Sequence, residues 1–155
     1  MAGRIDARLK ELDIELPKAA APVAAYVPVI RTGNLLFTSG QITVFNGEVK
    51  FIGKLGAELD VEAGKQAARL CGLNIIAQAK AALDGDLDRV VRVVKLVGFV
   101  NSTPDFTDQP KVINGASELM QEVFGDAGKH ARSAVSAASL PLGVAVEVEA
   151  ILEVQ

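Results

Sequence analysis

The sequence contains few of the residues on which metal sites, disulfide frameworks and nucleic-acid interfaces depend. Its 155 residues include one cysteine and one histidine. These numbers exclude an intramolecular disulfide framework, a cysteine-rich zinc site and a site built from several imidazoles. The 16 Lys and Arg residues against 19 Asp and Glu give a net charge of −3, and no basic cluster occurs. The single cysteine and single histidine predict no metal ion. The absence of a basic cluster predicts no nucleic-acid partner, because binding to phosphates needs clustered cations.

Long hydrophobic segments are also absent. Residues 1–8 mix acidic and basic side chains where a signal peptide would have an apolar stretch. The longest apolar run, residues 19–30, is interrupted by Pro22 and Pro28 and falls short of the ~20 residues that span a bilayer. We expect a soluble, cytoplasmic protein without a membrane partner.

Apolar residues, in contrast, are abundant. Half of the residues are hydrophobic and 14 more are glycine, a larger share than is usual for a globular chain. The length corresponds to one domain, residues 1–155. The apolar surplus indicates an interface between subunits, because one small domain has difficulty hiding so much apolar surface.

Residue periodicity predicts a single α+β domain. Apolar side chains at helical spacing predict three helices, and β-branched segments predict five strands; the helices cover 3–14, 60–83 and 112–124, and the strands cover 25–31, 35–39, 90–100, 131–138 and 144–154. We expect a mixed sheet with the two main helices packed on one face and residues 1–18 as an extra helical extension. The other sheet face then needs a cover, which again favours self-association.

Familiar catalytic motifs, including nucleotide-binding glycine loops and the serine-hydrolase elbow, are missing. Cys71 lies on the apolar face of the predicted 60–83 helix and is interpreted as a small buried hydrophobe. His130 is interpreted as a loop residue, with a supporting role near Arg132 as the alternative.

The two C-terminal strands carry the most informative charges. Arg132 opens a strand of small and apolar residues, so it must meet either an anion or solvent. Strand alternation places Glu147 and Glu149 on one face of the 144–154 segment. Two interpretations stay open at this point. The carboxylates form a solvated face, or one carboxylate and Arg132 turn inward to make a site.

Several segments together resemble the Rid family of reactive intermediate deaminases, also called the YjgF family. The resemblance extends from about Ala21 to Val154, and its segments are Tyr26-Val27, Gly33-Asn34, Thr38-Ser39-Gly40-Gln41-Ile42, Asp105-Phe106, Ile113-Asn114, Ala131-Arg132-Ser133, Leu140-Pro141 and Val146-Glu147-Val148-Glu149-Ala150-Ile151. The Thr-Ser-Gly-Gln segment combined with Ala-Arg-Ser and the later Glu-x-Glu-Ala is the specific part of the pattern.

This resemblance implies a chorismate-mutase-like fold and a homotrimer with ligand clefts between subunits. It implies hydrolysis of 2-imino and enamino acids, such as 2-iminobutanoate and 2-aminoacrylate, to 2-keto acids and ammonia without a cofactor. Arg132 would bind the substrate carboxylate and Glu147 would hold or activate water. The other implied substrate-lining positions are Tyr26, Ser39, Gly40, Asn114 and Ala134.

Ala134 stands where the family has a cysteine, so this chain resembles a divergent member. That departure keeps a second hypothesis open, a non-catalytic protein that binds a small carboxylate such as a 2-keto acid. A third, endoribonuclease activity, is disfavoured by the isoelectric point near 5.2 and by the absence of a second histidine.

Overall fold

The chain forms a mixed β-sheet with helices on one side. The structure is a computed structural model that describes residues 3–21 and 24–155; Met1 and Ala2, which begin the predicted 1–18 extension, lie outside the described residues. In chain order the elements are α1 (Arg4–Glu11), β1 (Val29–Thr32), β2 (Leu35–Thr38), β3 (Val44–Phe45), β4 (Glu48–Val49), α2 (Val61–Ala82), β5 (Val90–Asn101), α3 (Gln109–Phe124), β6 (Ala131–Ala137) and β7 (Val146–Val154).

The main sheet has five strands in the order β1-β2-β7-β5-β6. β6 runs parallel to β5, and the other neighbours are antiparallel. The two strands predicted at the C-terminus are therefore not neighbours, because β5 lies between them. β3 and β4 form a separate hairpin, and its turn residues Asn46 and Gly47 both have positive φ, as a two-residue hairpin turn requires.

Helices α2 and α3 cover one face of the sheet, as predicted. Alternate strand residues such as Leu96 and Val148 are fully buried beneath them. α2 begins where the sequence indicated, since the Asp60 carboxylate accepts the Ala63 N–H at 2.9 Å. The predicted α+β class is confirmed by this arrangement.

The N-terminal helix α1 is shorter than the predicted 3–14 segment. It ends at Glu11, and Asp13 adopts a positive φ of 55° that takes the chain out of the helix. Its first N–H groups are capped by a residue distant in the sequence: the Asp88 carboxylate accepts the Arg4 and Ile5 N–H groups, each at 2.8 Å. These bonds lower the pKa of Asp88. Across residues 3–21 and 24–155, none of the helices combines the length and the apolarity needed to cross a membrane.

The opposite face of the sheet exposes several apolar side chains in the single chain. Phe37 lies opposite Ile30 on one side and Ile151 on the other, so these three residues form a row across the strands. Ile30 is 55% exposed and Val135 is 46% exposed. We call this surface, made of the outward residues of β1, β2, β7, β5 and β6, the open face.

Candidate functional site

Arg132 lies on the edge strand β6 and projects toward α3. Its Cα partner across the parallel pairing is Leu96, a residue buried on the helix side of the sheet. The Arg132 Nη1 donates to Asn114 Oδ1 at 2.8 Å and to Ser117 Oγ at 3.2 Å. The structure thus brings together two of the predicted site residues, Arg132 and Asn114, and adds Ser117, which the sequence analysis did not identify.

A cavity of about 250 Å³ opens beside the Arg132 guanidinium; its lining residues are Asn114, Ser117, Gln121, Lys129, His130 and Arg132. Among the described residues none of the lining side chains is acidic, so the cavity carries positive charge. Arg132 Nε and Nη2 make no hydrogen bond and no ion pair with any residue of 3–21 or 24–155. This edge of the guanidinium matches the two oxygens of a carboxylate.

His130 lies in the same cavity and is held at both ring nitrogens. Nε2 is 2.8 Å from Ser117 Oγ, and Nδ1 is 2.6 Å from the Gly128 carbonyl oxygen. Burial lowers the pKa of His130 below its usual value; the bond to Gly128 opposes this shift, and the positive charge of Arg132 adds to it. Burial and the Arg132 charge thus favour the neutral imidazole.

Glu147 lies on the open face, away from this cavity. In β7 the neighbouring Val146 and Val148 are buried under the helices, so the intervening Glu147 projects to the other side. Its Cα partner in β5 is Phe99, three residues beyond the Arg132 partner Leu96. Arg132 and Glu147 therefore do not meet within one protomer.

Burial raises the pKa of Glu147, and the charge of Glu149 raises it further. A side chain on Gly40 would overlap the Glu147 carboxylate, so glycine at position 40 is what allows the carboxylate to lie against the β2 end. A carboxylate with a raised pKa is better suited to accept a proton than an ordinary surface glutamate.

A second cavity of about 250 Å³ adjoins Gly40, and its lining includes the predicted residues Tyr26, Ser39 and Gly40. Three carboxamide side chains also line it: Gln41, Asn74 and Gln78. All three are buried, and sequence reasoning did not assign them to a site. The available signal was the presence of two amides on the apolar face of the predicted 60–83 helix.

Two further positions have plain structural environments. Ala134 is half-buried on β6, packs against the core and shares the helix side of the strand with Arg132. Cys71 is fully buried, as predicted, and its Sγ donates to the Val146 carbonyl at 3.4 Å. Burial, helped by the charge of Glu147, raises the pKa of the Cys71 thiol and makes it unreactive.

Comparison with known proteins agrees with the sequence resemblance. A family model described as "YjgF/chorismate_mutase-like, putative endoribonuclease" matches residues 6–153. The chain belongs to the YjgF family. The predicted family and its chorismate-mutase-like fold are thereby confirmed.

Relatives of this YjgF-family chain occur in distant organisms. Protein TCP17 of Trypanosoma cruzi is 52% identical over 153 residues, which cover 98% of this chain and 95% of TCP17. The crystal structure of Atu1372 from Agrobacterium tumefaciens, a protein with unknown function, is 50% identical with a TM-score of 0.91, covering 97% of this chain and 92% of its own.

A relative with a named activity is found in Escherichia coli. The K12 protein called "Putative reactive intermediate deaminase TdcF" is 30% identical over 142 residues, covering 89% of this chain and 93% of TdcF. The crystal structure of E. coli TdcF with bound serine has a TM-score of 0.65 at 27% identity, covering 91% of this chain and 97% of its own.

Proposed function

We propose that the protein hydrolyses reactive 2-imino and enamino acids, of the 2-aminoacrylate and 2-iminobutanoate type, to 2-keto acids and ammonia. The observation that carries the proposal is the half-buried Arg132 guanidinium beside a cationic cavity. Its Nη1 is occupied by Asn114 and Ser117, while its Nε–Nη2 edge has no partner among the described residues. That edge suits a small carboxylate, and TdcF is a relative whose crystal structure holds an amino acid, serine.

The reaction consists of proton transfers, addition of water and loss of ammonia. 2-Aminoacrylate becomes 2-iminopropanoate when a proton moves from its nitrogen to C3. Water then adds to C2, so that a C–O bond forms, the C=N π pair takes up a proton at nitrogen and the water loses one. In the resulting carbinolamine the amino group takes up a proton and leaves as ammonia when the C–N bond breaks, while the hydroxyl gives up its proton and becomes the keto oxygen. The net change is water in and ammonia out, with no redox partner consumed.

Arg132 and Glu147 divide this work in our proposal. Arg132 anchors the carboxylate, and a charge-assisted hydrogen bond of this kind contributes roughly 1.5–3 kcal/mol. Glu147 accepts the proton of the attacking water, for which its raised pKa is suitable. Holding water and imine in reacting geometry supplies a further part of the rate.

The proposal includes a cytoplasmic homotrimer with the site shared between subunits. Two observations support sharing. Arg132 and Glu147 lie on opposite sides of the sheet, and the open face exposes apolar side chains, with Ile30, Phe37 and Val135 each more than a third exposed. A trimer that covers the open face removes this apolar surface from water. Light scattering of the purified protein should give three times the 16.2 kDa chain mass.

The activity is tested by generating the imine in place. An L-amino-acid oxidase with leucine or methionine produces a 2-imino acid, whose decay is followed with and without the protein. Wild type should accelerate imine loss and ammonia release, and Arg132→Ala should reduce kcat/KM at least about tenfold. Arg69→Ala is the matched control, because Arg69 is a surface arginine paired with Glu122 at 3.3 Å. Equal acceleration by wild type and Arg132→Ala would reject the proposal.

Ala134 favours one competing outcome. The family cysteine position holds a methyl group here, so the protein would be a carboxylate-binding module if its remaining groups are insufficient for turnover. Calorimetry with 2-oxobutanoate distinguishes the two: binding that depends on Arg132, without accelerated imine loss, would support the binding module and contradict deamination.

A further inference from the structure

The hydrogen bonds of His130 fix its tautomer. Nδ1 is 2.6 Å from the Gly128 carbonyl oxygen, and a carbonyl oxygen only accepts, so Nδ1 must carry the ring proton. In the neutral imidazole Nε2 is then a bare acceptor. Ser117 Oγ, at 2.8 Å from Nε2, is therefore the donor in that contact.

This assignment sets the orientation of the Ser117 hydroxyl. With its proton directed to His130, Oγ presents lone pairs to the other side, where Arg132 Nη1 donates at 3.2 Å. A serine within a helix otherwise tends to donate to the carbonyl one turn earlier, here that of Ile113. His130 offers a competing acceptor and keeps the hydroxyl in the chain that runs from His130 through Ser117 to Arg132.

The chain leaves one defined edge of Arg132 for a ligand. Nη1 has two hydrogens, and Asn114 Oδ1 and Ser117 Oγ accept one each. Because a guanidinium is planar, fixing Nη1 through two bonds also fixes the plane and direction of the Nε–Nη2 edge. A guanidinium ordered in advance loses less conformational freedom when it binds an anion.

We propose that Ser117 and His130 are positioning residues that hold the Nε–Nη2 edge of Arg132 toward the cavity for the carboxylate of a 2-keto or 2-imino acid. The proposal rests on the deaminase function above and extends it to two residues that do not touch the reacting carbon. Lys129, the other cation of the cavity, is paired with Asp126 at 3.2 Å, so Arg132 is the cation oriented for the ligand.

The test measures binding and turnover at pH 7.5, with pyruvate as the calorimetric probe and the oxidase assay for kinetics. Ser117→Ala and His130→Ala should each weaken pyruvate binding and raise KM about tenfold, with kcat within about twofold of wild type. His130→Gln should restore binding, because its amide oxygen can accept the Ser117 proton near the position of Nε2. Glu118→Ala, next along α3 and exposed, is the control.

A double variant provides a second, independent measurement. If one hydrogen-bonded chain acts as a unit, Ser117→Ala combined with His130→Ala should be no weaker in binding than the weaker single variant. Additive losses, or a fall in kcat at constant KM, would overturn the positioning role. So would wild-type pyruvate affinity in Ser117→Ala alongside lost affinity in Arg132→Ala, a result that leaves the deaminase proposal intact. Absence of both binding and turnover in wild type would overturn both proposals.

Discussion

Arg132 and Glu147 project from opposite sides of one sheet, with β5 lying between the strands that carry them. On the helix side Arg132 donates to Asn114 of α3. On the other side the Glu147 carboxylate lies against Gly40, just after β2. The two ends of a substrate bound to both residues would therefore contact different copies of the chain. This separation is the basis of the first prediction.

Two inactive variants should complement one another when they assemble together. In a ring of three subunits with sites at the three interfaces, Arg132→Ala and Glu147→Gln each spoil every site when alone. Co-expression in equal amounts produces mixed trimers, each with one intact site of three, so about a third of the sites in the purified mixed trimers should regain function. The measurement is the imine-decay rate per subunit after tandem-tag purification.

The control for complementation mixes Arg132→Ala with the Arg132→Ala/Glu147→Gln double variant, which contains no intact Arg132 and should stay inactive. Activity of the first mixture no higher than that of its parents, with trimers verified by light scattering, would contradict a shared site and place both roles within one subunit.

Gly40→Ala should reduce turnover without unfolding the protein. The added methyl group overlaps the Glu147 carboxylate, whose flexible side chain can move aside, so the loss falls on water activation. We expect kcat to fall about tenfold, as for a displaced general base, with an unchanged melting temperature. In a Glu147→Gln background the same substitution should have little further effect. An equal loss in both backgrounds would show that Gly40 acts independently of Glu147.

His130 should titrate below its usual pKa of 6.5 because of its burial and the Arg132 charge. It is the single histidine of the chain, so one imidazole resonance reports the value by NMR. Arg132→Gln removes the repelling cation and should raise the pKa. A pKa at or above 6.5 in wild type, or a decrease in Arg132→Gln, would contradict the described environment.

The same shift makes stability depend on pH. The unfolded chain binds the His130 proton at a higher pH than the folded chain. His130 therefore makes its whole contribution to the free energy of unfolding above pH 6.5, and that contribution declines as pH falls toward the lowered pKa of the folded state. Urea unfolding at pH 7.5 and pH 5.5, at one protein concentration, should show a larger acid loss for wild type than for His130→Gln. Identical losses would contradict the prediction.

The close approach of α2 and α3 depends on Gly115. A methyl group there would overlap the Lys65 backbone carbonyl, which cannot move without displacing the helix. Gly115→Ala should cost about 3 kcal/mol or more of unfolding free energy. At Gly72 a methyl group would lie 2.9 Å from a terminal methyl of Leu119, which can rotate away. Gly72→Ala should stay within about 1 kcal/mol of wild type, since alanine favours the helix; chemical denaturation compares the two.

Sequence reasoning identified the elements whose signals are local. Asp60 correctly indicated the start of α2, and Gly33-Asn34 forms the predicted turn between β1 and β2. The alternation of residues in the C-terminal strand correctly placed Glu147 on the face opposite the buried valines. The sequence offered a role of His130 near Arg132 as an alternative, but it did not identify Ser117, which reaches both residues only when α3 packs beside β6. Ser117 lies 13 residues before His130 and 15 before Arg132, so no helical or strand repeat relates it to them.

Two other features were not predicted: the early end of α1 and the packing of two buried amides. The predicted 3–14 helix ended early because Asp13 leaves the helical conformation, a choice that the apolar pattern of Ile5 and Leu9 does not encode. The buried amides of Gln41, which follows β2, and Gln78 of α2 come together, with Nε2 of Gln78 donating to Gln41 Oε1 at 3.5 Å and to the Ala20 carbonyl at 2.9 Å. Gln78 had a signal, its place on the apolar face of the predicted 60–83 helix, but nothing in the sequence indicates that Gln41 packs beside it.

The Asp88 cap of α1 has a consequence for biosynthesis. An isolated eight-residue helix is marginal in water, and the carboxylate that completes this one is encoded more than eighty residues later. During synthesis α1 therefore lacks its cap, with Ile5 and Leu9 unburied, for as long as Asp88 has not been added to the chain. The Arg4 and Ile5 N–H groups can receive this cap only after Asp88 has been synthesised.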